Sequence, residues 1–269
     1  MKNNIDCAQK LLKSRLEDYL RQAERGELVC GNFLSCAEAA YCMSLAITLR
    51  VQDRIFLWGG FDDAERKRLF VLPSFASDMD GGPKEKAYDL FPDEMSLAVQ
   101  ALRIKGSGYR ALGHRDYLGT ILSLGVERHA VGDIVVINDF DAVVFCTDKI
   151  LDFLLSSVDR VASDKVSVSK FVPDDSFCAK REFQQIRDTV ASNRFDCVVG
   201  ALTNTSREKA QELIRAERCE IDHCLTTKCD APVTAPCVIS IRGHGRFNVL
   251  SFDGETRRGR LRLSAQKHI

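Results

Sequence analysis

The chain has no charge excess of either sign. Its 38 Lys and Arg balance 38 Asp and Glu over 269 residues, so it is not a polycation that binds nucleic acid along its whole surface. It lacks any apolar run near the roughly 18 residues that a membrane helix needs, and no membrane association is expected. No secretory signal is legible: MKNNIDCAQKLLKSRLEDYL has no apolar core segment and reads as an amphipathic helix. The 11 cysteines are therefore expected as reduced thiols in a cytosol, mostly small buried side chains. Walker, HExxH and Ser-His-Asp patterns are missing, as are internal repeats and low-complexity segments. Cys219, His223, Cys224 and Cys229 lie close together, but their gaps do not form paired CxxC knuckles. No metal, cofactor or small-molecule substrate is expected.

What is present fits a folded protein. Hydrophobic content is 45% and charged content 28%, ordinary values for a globular chain long enough for two or three domains. Charge is unevenly spread. From Arg194 onward there are 13 basic and 9 acidic residues, a net of +4, leaving −4 on residues 1–193. A basic module on a mildly acidic body is expected.

The basic module opens with two short helices. Over 194–202, Phe195, Val198, Val199 and Leu202 recur at helical spacing and form one apolar face. Thr205-x-x-Glu208 fits a capping box, with Ser206 an equal N-cap candidate, so a second helix is expected over 207–218. Ala210, Leu213 and Ile214 form its buried stripe, while Arg207, Gln211, Arg215 and Arg218 share another sector that offers donors to phosphates. Strands are expected at 219–221, 238–242, 246–252 and 260–263, with a hairpin at Asp253-Gly254. Alternation places Arg258, Arg260 and Arg262 on one face of the last strand. The stretch 183–191 suits either helix or strand by pattern alone.

Upstream, a helix is expected over 5–25, and Ser35-x-x-Glu38 should cap a second through 49. Short strands at 54–58 and 67–72 flank a charged helical turn at 62–68. Residues 76–93, rich in Gly, Pro and Asp, read as a loop and the first domain boundary. Next come a strand at 95–104, a helix at 114–124, strands at 133–138 and 142–146, a helix at 149–161 and a strand at 166–172. This β-α-β-β-α-β order is that of a ferredoxin-like split sandwich, which RNA-recognition motifs share. Their aromatic strand signature is absent. Residues 173–179 read as a linker.

Two short motifs resemble catalytic signatures. His114-Arg115-Asp116 resembles the kinase catalytic loop, but no Gly-rich loop, partner lysine strand or Asp-Phe-Gly accompanies it. It also resembles the Asp-bearing segment of pseudouridine synthases, which would make Asp116 a nucleophile. The plainer reading is a helix start where Asp116 favours the N-terminal dipole. Lys165 to Lys170 faintly resembles a tRNA-synthetase loop and reads better as a strand.

Arg194-Phe-Asp196, followed by Ser206-Arg207-x-x-Ala210-x-x-Leu213-Ile214 and an apolar strand, resembles the S4 RNA-binding domain. Ile221-Asp222-His223 and Pro236-Cys237 depart from it where that domain has Val-Asn-Gly and Gly-Asp. Gly59-Gly60-Phe61-x-Asp63-Ala64-Glu65-Arg66-Lys67-Arg68, His114 to Gly119, Gly132-Asp133-Ile134 and Gly243-x-Gly245-Arg246-Phe247 extend the resemblance to the bacterial YlmH-type S4 proteins across nearly the whole chain. The resemblance implies a multidomain α+β fold. Residues 1–80 would be a small α/β domain, 81–173 an RRM-like βαββαβ domain and 182–265 an S4 domain with its αL motif. It favours a strand over 183–191. It also implies a non-enzymatic, ribosome-associated role on large subunits that hold peptidyl-tRNA. Under this reading Arg194, Phe195, Ser206, Arg207, Lys209, Ala210, Gln211, Arg215, Arg242 and Arg246 form the site for ribosomal RNA or tRNA. An RNA-modifying enzyme using Asp116 and a protein-interaction scaffold on the acidic part are the alternatives.

Overall fold

A computed structural model describes residues 2–174, 176–179 and 183–268. The chain separates into two units, Met1–Lys180 and Arg181–Ile269. Glu182, where the sequence reading begins its last domain, lies outside the described residues. Several sheets and helices alternate along the chain, an α+β arrangement.

In the first unit, α1 (Lys2–Ala23) buries Leu12 and Leu16. The chain then turns at Gly26, whose φ of +88° suits only glycine well. After β1 (Val29–Leu34), α2 (Cys36–Thr48) starts on the expected capping box: the Ser35 hydroxyl accepts from Glu38 N–H, and the Glu38 carboxylate accepts from Ser35 N–H at 2.7 Å. β2 (Ile55–Trp58) and β3 (Lys67–Val71) complete an antiparallel sheet in the order β1-β3-β2.

Between β2 and β3 no helical turn forms over 62–66. The Asp133 carboxylate takes the backbone N–H of Glu65 at 2.6 Å and of Arg66 at 3.0 Å, and the second is the donor that would close a helical turn on the Asp62 carbonyl. The Arg66 guanidinium then donates to the carbonyls of Val131, Phe33 and Arg128. The loop expected over 76–93 is also corrected. α3 (Pro83–Leu90) and α4 (Pro92–Ala98) occupy it, each with proline in its first turn, where no N–H partner is needed. The strand expected from 95 consequently begins later, because Met95 and Ala98 belong to α4 and pack with Phe56, Phe70 and Leu72.

The rest of this unit is β4 (Gln100–Gly106), α5 (His114–Ser123), β5 (Val131–Asn138), β6 (Asp141–Cys146), α6 (Asp148–Ser157), β7 (Arg160–Val161) and β8 (Asp164–Phe171). The strands form one antiparallel sheet, β5-β6-β4-β8-β7. α6 stops at Ser157 rather than 161, since Arg160 and Val161 pair with Lys165 and Asp164. Leu102, Ile104 and Val144 face α5 and α6 in one core. On the opposite face, Val135, Val143 and Phe145 meet Phe61, Ala64 and Phe177.

The second unit contains β9 (Phe183–Val190), α7 (Phe195–Thr203), α8 (Arg207–Arg215), β10 (Cys219–Ile221), β11 (Cys224–Leu225), β12 (Cys237–Ile241), β13 (Gly245–Glu255) and β14 (Leu261–His268). Its sheet runs β11-β10-β12-β13-β14-β9, all antiparallel. Alternate residues Ile239 and Ile241, Phe247 and Val249, Leu263 and Ala265 supply one buried face. Phe195, Val198, Val199 and Leu202 of α7 and Ala210, Leu213 and Ile214 of α8 cover it, as their spacing predicts. The stretch 183–191 is the edge strand β9. The departure at Asp222-His223 does not open the hairpin. Both residues adopt left-handed φ, +46° and +63°, as a two-residue type I′ turn requires, and Ile221 pairs with Cys224.

Three readings change here. α8 ends at Arg215, so Arg218 is not on its face. Arg218 N–H donates to Leu213 O and Glu217 N–H to Ile214 O, a Schellman termination with Glu217 at φ +57° where glycine is the usual occupant. Glu217→Gly is expected to raise stability by about 1 kcal/mol in urea unfolding, since the left-handed penalty disappears while both terminating hydrogen bonds stay. The turn expected at Asp253-Gly254 lies instead at 257–259, closed by Thr256 N–H to Arg260 O at 2.7 Å. Arg258 therefore sits in the turn and Arg260 ahead of β14, so the three arginines do not share a strand face. Arg260 instead donates to Thr189 Oγ1 and O on β9.

Burial pushes the thiols of Cys30 and Cys146 up to about 12 and those of Cys42, Cys219 and Cys237 up to about 11. They act as small apolar groups, inert as nucleophiles at neutral pH.

Candidate nucleic-acid interface

The first two N–H groups of α7 are satisfied by the loop that follows β11. Phe195 donates to Ala231 O and Asp196 to Cys229 O, both at 2.9 Å. That anchoring sets Asp196 beneath the surface, at zero exposure. Its carboxylate then collects three side-chain donors. Arg194 approaches through Nε and Nη2 at 3.2 Å each, Arg207 Nε at 3.0 Å and Gln211 Nε2 at 2.8 Å. Burial alone would raise the Asp196 carboxyl. The hydrogen bonds from Arg194, Gln211 and Arg207 outweigh it and hold the group well below the usual carboxylate range.

The two guanidiniums keep their outer donors available, with side chains 42% and 55% exposed for Arg194 and Arg207. One buried anion thus fixes two cations side by side, one from the cap of α7 and one from the first turn of α8. A guanidinium held by one edge loses little rotamer freedom when the other edge meets a phosphate oxygen. In the sequence Asp196 stands only as part of the Arg194-Phe-Asp196 motif, with nothing in the helical spacing to give it this role. The signal is an acidic residue in the first turn of a helix that is otherwise apolar up to its last residue, Thr203.

Other expected site residues fall elsewhere. Phe195 and Ala210 are wholly buried, so their side chains build the core under the surface rather than the surface. Ser206 caps α8, its Oγ accepting from Lys209 N–H at 3.3 Å, while Thr205 Oγ1 pairs with Thr203 Oγ1. At about 100° per residue, Arg207, Gln211 and Arg215 span one sector of α8, with Glu208 and Glu212 beside Arg215. Lys209 projects from the far flank of the apolar stripe, about 200° from Arg207. Arg242 stands in the turn before β13. Arg246 alternates with buried Phe247 and therefore faces away from the helices. Between β9 and α7 opens a cleft of about 320 Å³ bordered by Thr189, Asn204, Arg207 and Arg260.

Asp116 behaves as a cap. Its Oδ2 accepts from Gly113 N–H at 2.9 Å, and Oδ1 lies 3.7 Å from Arg110. His114 beside it is lowered by burial and then by the Arg128 charge. Among the described residues no group of three or more His, Cys, Asp or Glu is arranged to hold a metal. Among them, too, no helix is long and apolar enough to cross a membrane.

The sheet β5-β6-β4-β8-β7 has a helix-free face of mixed character. Phe145 there is covered by Phe61, with ring centroids 4.8 Å apart, and by Phe177 at 5.7 Å. Beyond this aromatic cover, exposed Arg103 and Lys105 of β4 lie opposite Ser169 and Ser167 of β8. Arg103 forms a two-pronged ion pair with Asp141.

A family model described as "Putative RNA-binding domain in YlmH" matches residues 92–174. The match lies on this sheet and its helices, not on α7 and α8, where the sequence reading put its contacts. "Ribosome-associated protein quality control protein P2" of Bacillus subtilis (strain 168) is 24% identical over 223 residues, 82% of this chain and 81% of its own length. The solved "Cell division protein ylmH from Streptococcus pneumoniae" aligns with 61% of this chain and 91% of its own at 15% identity, with a TM-score of 0.47. The family match and the B. subtilis relative bear out the resemblance read from the motifs: the chain is similar to the YlmH-type proteins, and residues 92–174 match the domain described in YlmH.

Proposed function

We propose that this is a ribosome-associated RNA-binding protein of translation quality control that works without catalysis. In this reading 81–173 is an RRM-like domain, and the unit that follows is an S4 domain that docks on structured ribosomal RNA or tRNA of a large subunit holding peptidyl-tRNA. The matched RNA-binding domain and the name of the B. subtilis relative support the RNA and ribosome parts. The observation that carries the docking site is the pair Arg194 and Arg207 gripped by buried Asp196. Gln211 and Arg215 continue that surface along α8, and Arg242 and Arg246 flank it.

The test is binding to ribosomal RNA and tRNA across a salt series. The double variant Arg207→Ala/Arg215→Ala should bind more weakly, with a salt slope reduced by about 2, one for each phosphate no longer neutralised. A well-folded double variant with unchanged affinity and slope would refute this placement. A second reading rests on the family match itself, which falls on the sheet of 92–174. Loss of binding in Lys105→Glu alone, with the α8 double variant intact, would move the interface to the Arg103–Lys105 strip.

A further inference from the structure

The first unit has an uncovered strand edge that the RNA-binding reading leaves unused. β2 is the outer strand of the order β1-β3-β2, and no described strand pairs on its other side. Leu72 N–H donates to Arg54 O at 2.8 Å, which makes Arg54 and Leu72 a hydrogen-bonded pair. By alternation Phe56 opposite Phe70 and Trp58 opposite Arg68 are hydrogen-bonded pairs too. The N–H and C=O of Ile55 and Leu57 therefore point away from β3.

They point toward a cleft of about 540 Å³ between β2, α2 and the start of α3, with Met43, Leu57, Pro83 and Tyr88 in its lining. The apolar surface continues on α2: Ile47 lies one turn beyond Met43 and is 65% exposed. Tyr88 is also exposed, at 42%.

The positive charge at the rim is already answered from within. Lys84 Nζ sits 3.4 Å from the centre of the Trp58 ring and 3.7 Å from Asp62. The Glu85 carboxylate accepts from Gly82 N–H at 2.7 Å, at the start of α3. No surplus of positive charge remains to attract a nucleic acid or an acidic peptide, while Glu85 keeps its negative charge and the remaining lining is largely apolar. What the cleft offers is a row of strand-edge donors and acceptors beside apolar side chains. An extended, uncharged peptide with apolar residues at alternate positions matches both, because its own backbone pairs with the edge while every second side chain enters the cleft.

We infer that β2 and the cleft beside it form a docking site for such a segment of a partner polypeptide, added as a fourth strand to the sheet.

The full chain would be tested against an array of random nine-residue peptides, and the best binder then used in hydrogen–deuterium exchange. Uncharged sequences with alternating apolar residues should be selected, and saturation should slow exchange of the Leu57 amide. Tyr88→Glu, at an exposed position that folding tolerates, should weaken binding about tenfold, as should Met43→Glu. RNA binding by both variants should be unchanged. The inference fails if no peptide or only charged peptides are selected, if both variants bind as the parent does, or if the Leu57 amide is unaffected by bound peptide. It also fails if the free protein protects that amide by self-association, which would assign the edge to a second copy of the chain.

Discussion

Replacing Asp196 with alanine lowers the stability of the C-terminal unit by about 2 kcal/mol, the scale of hydrogen bonds made to a buried charged group. The carboxylate has no exposure and takes donors from Arg194, Arg207 and Gln211. Its loss does not strand buried cations, because both arginine side chains are about half exposed and return to water. The cost therefore stays below the 3–5 kcal/mol or so of breaking a fully buried pair. The same variant should weaken RNA binding more than its stability loss accounts for under conditions where it is folded, since the two guanidiniums lose their common anchor. Circular dichroism in urea and a salt-dependent binding series measure the two effects separately. Equal affinity of folded Asp196→Ala and parent would remove Asp196 from the docking argument.

The same group makes the unit acid-sensitive, with a sign that follows from its shift. Asp196 is held below its ordinary value in the folded state, so its stabilisation is fully present above the unfolded value of about 4 and is lost as pH falls below it. Asp196→Asn, which cannot titrate, should be less stable than the parent at pH 7. The gap should narrow as pH drops toward about 2. A gap that is constant over that range would mean another group governs acid unfolding.

Gly60→Ala is expected to cost the N-terminal unit about 3 kcal/mol, the sum of a left-handed backbone penalty and overpacking of a closed core. Gly60 has φ +98°, and a Cβ there would lie 2.5 Å from Phe145 Cδ1 and 2.8 Å from Val99 Cγ1. Phe145 is 1% exposed and held between Phe61 and Phe177, so its ring has nowhere to go. Gly125→Ala separates the two causes: its φ is +84° but nothing lies within 4 Å of the added atom. It should lose only about 1 kcal/mol, the backbone part. The chain's single tryptophan, Trp58, lies in β2, so its fluorescence follows unfolding of this unit. Similar losses in the two variants would show that the aromatic layer yields.

Much of the local architecture was legible without coordinates. Ser35 with Glu38 and Ser206 with Lys209 cap helices where the pattern places caps, because capping involves groups within one turn of chain. The apolar faces of α7 and α8 follow from helical spacing, and β5 and β6 from β-branched runs. In the motif from Gly59 to Arg68 the residues could be named but not explained. Its two glycines leave room for Ala64 and Phe145, and its turn is held by Asp133, far along the chain.

By itself, then, the sequence determined which faces of the short elements are apolar, where most of them begin, and which residues carry the family resemblance. These depend on neighbours within a few residues. Only the tertiary structure decided that Pro83 and Pro92 start helices, since a proline reads alike as breaker and as first-turn residue until its neighbours are packed. It also dispersed the arginine strand, because a turn displaced to 257–259 moves Arg258 and Arg260 off the sheet. Burial of Asp196 beneath two arginines was decided there as well. Periodicity tells a residue which way it faces on its own helix. Which charges meet it from the next helix is set only when the helices pack.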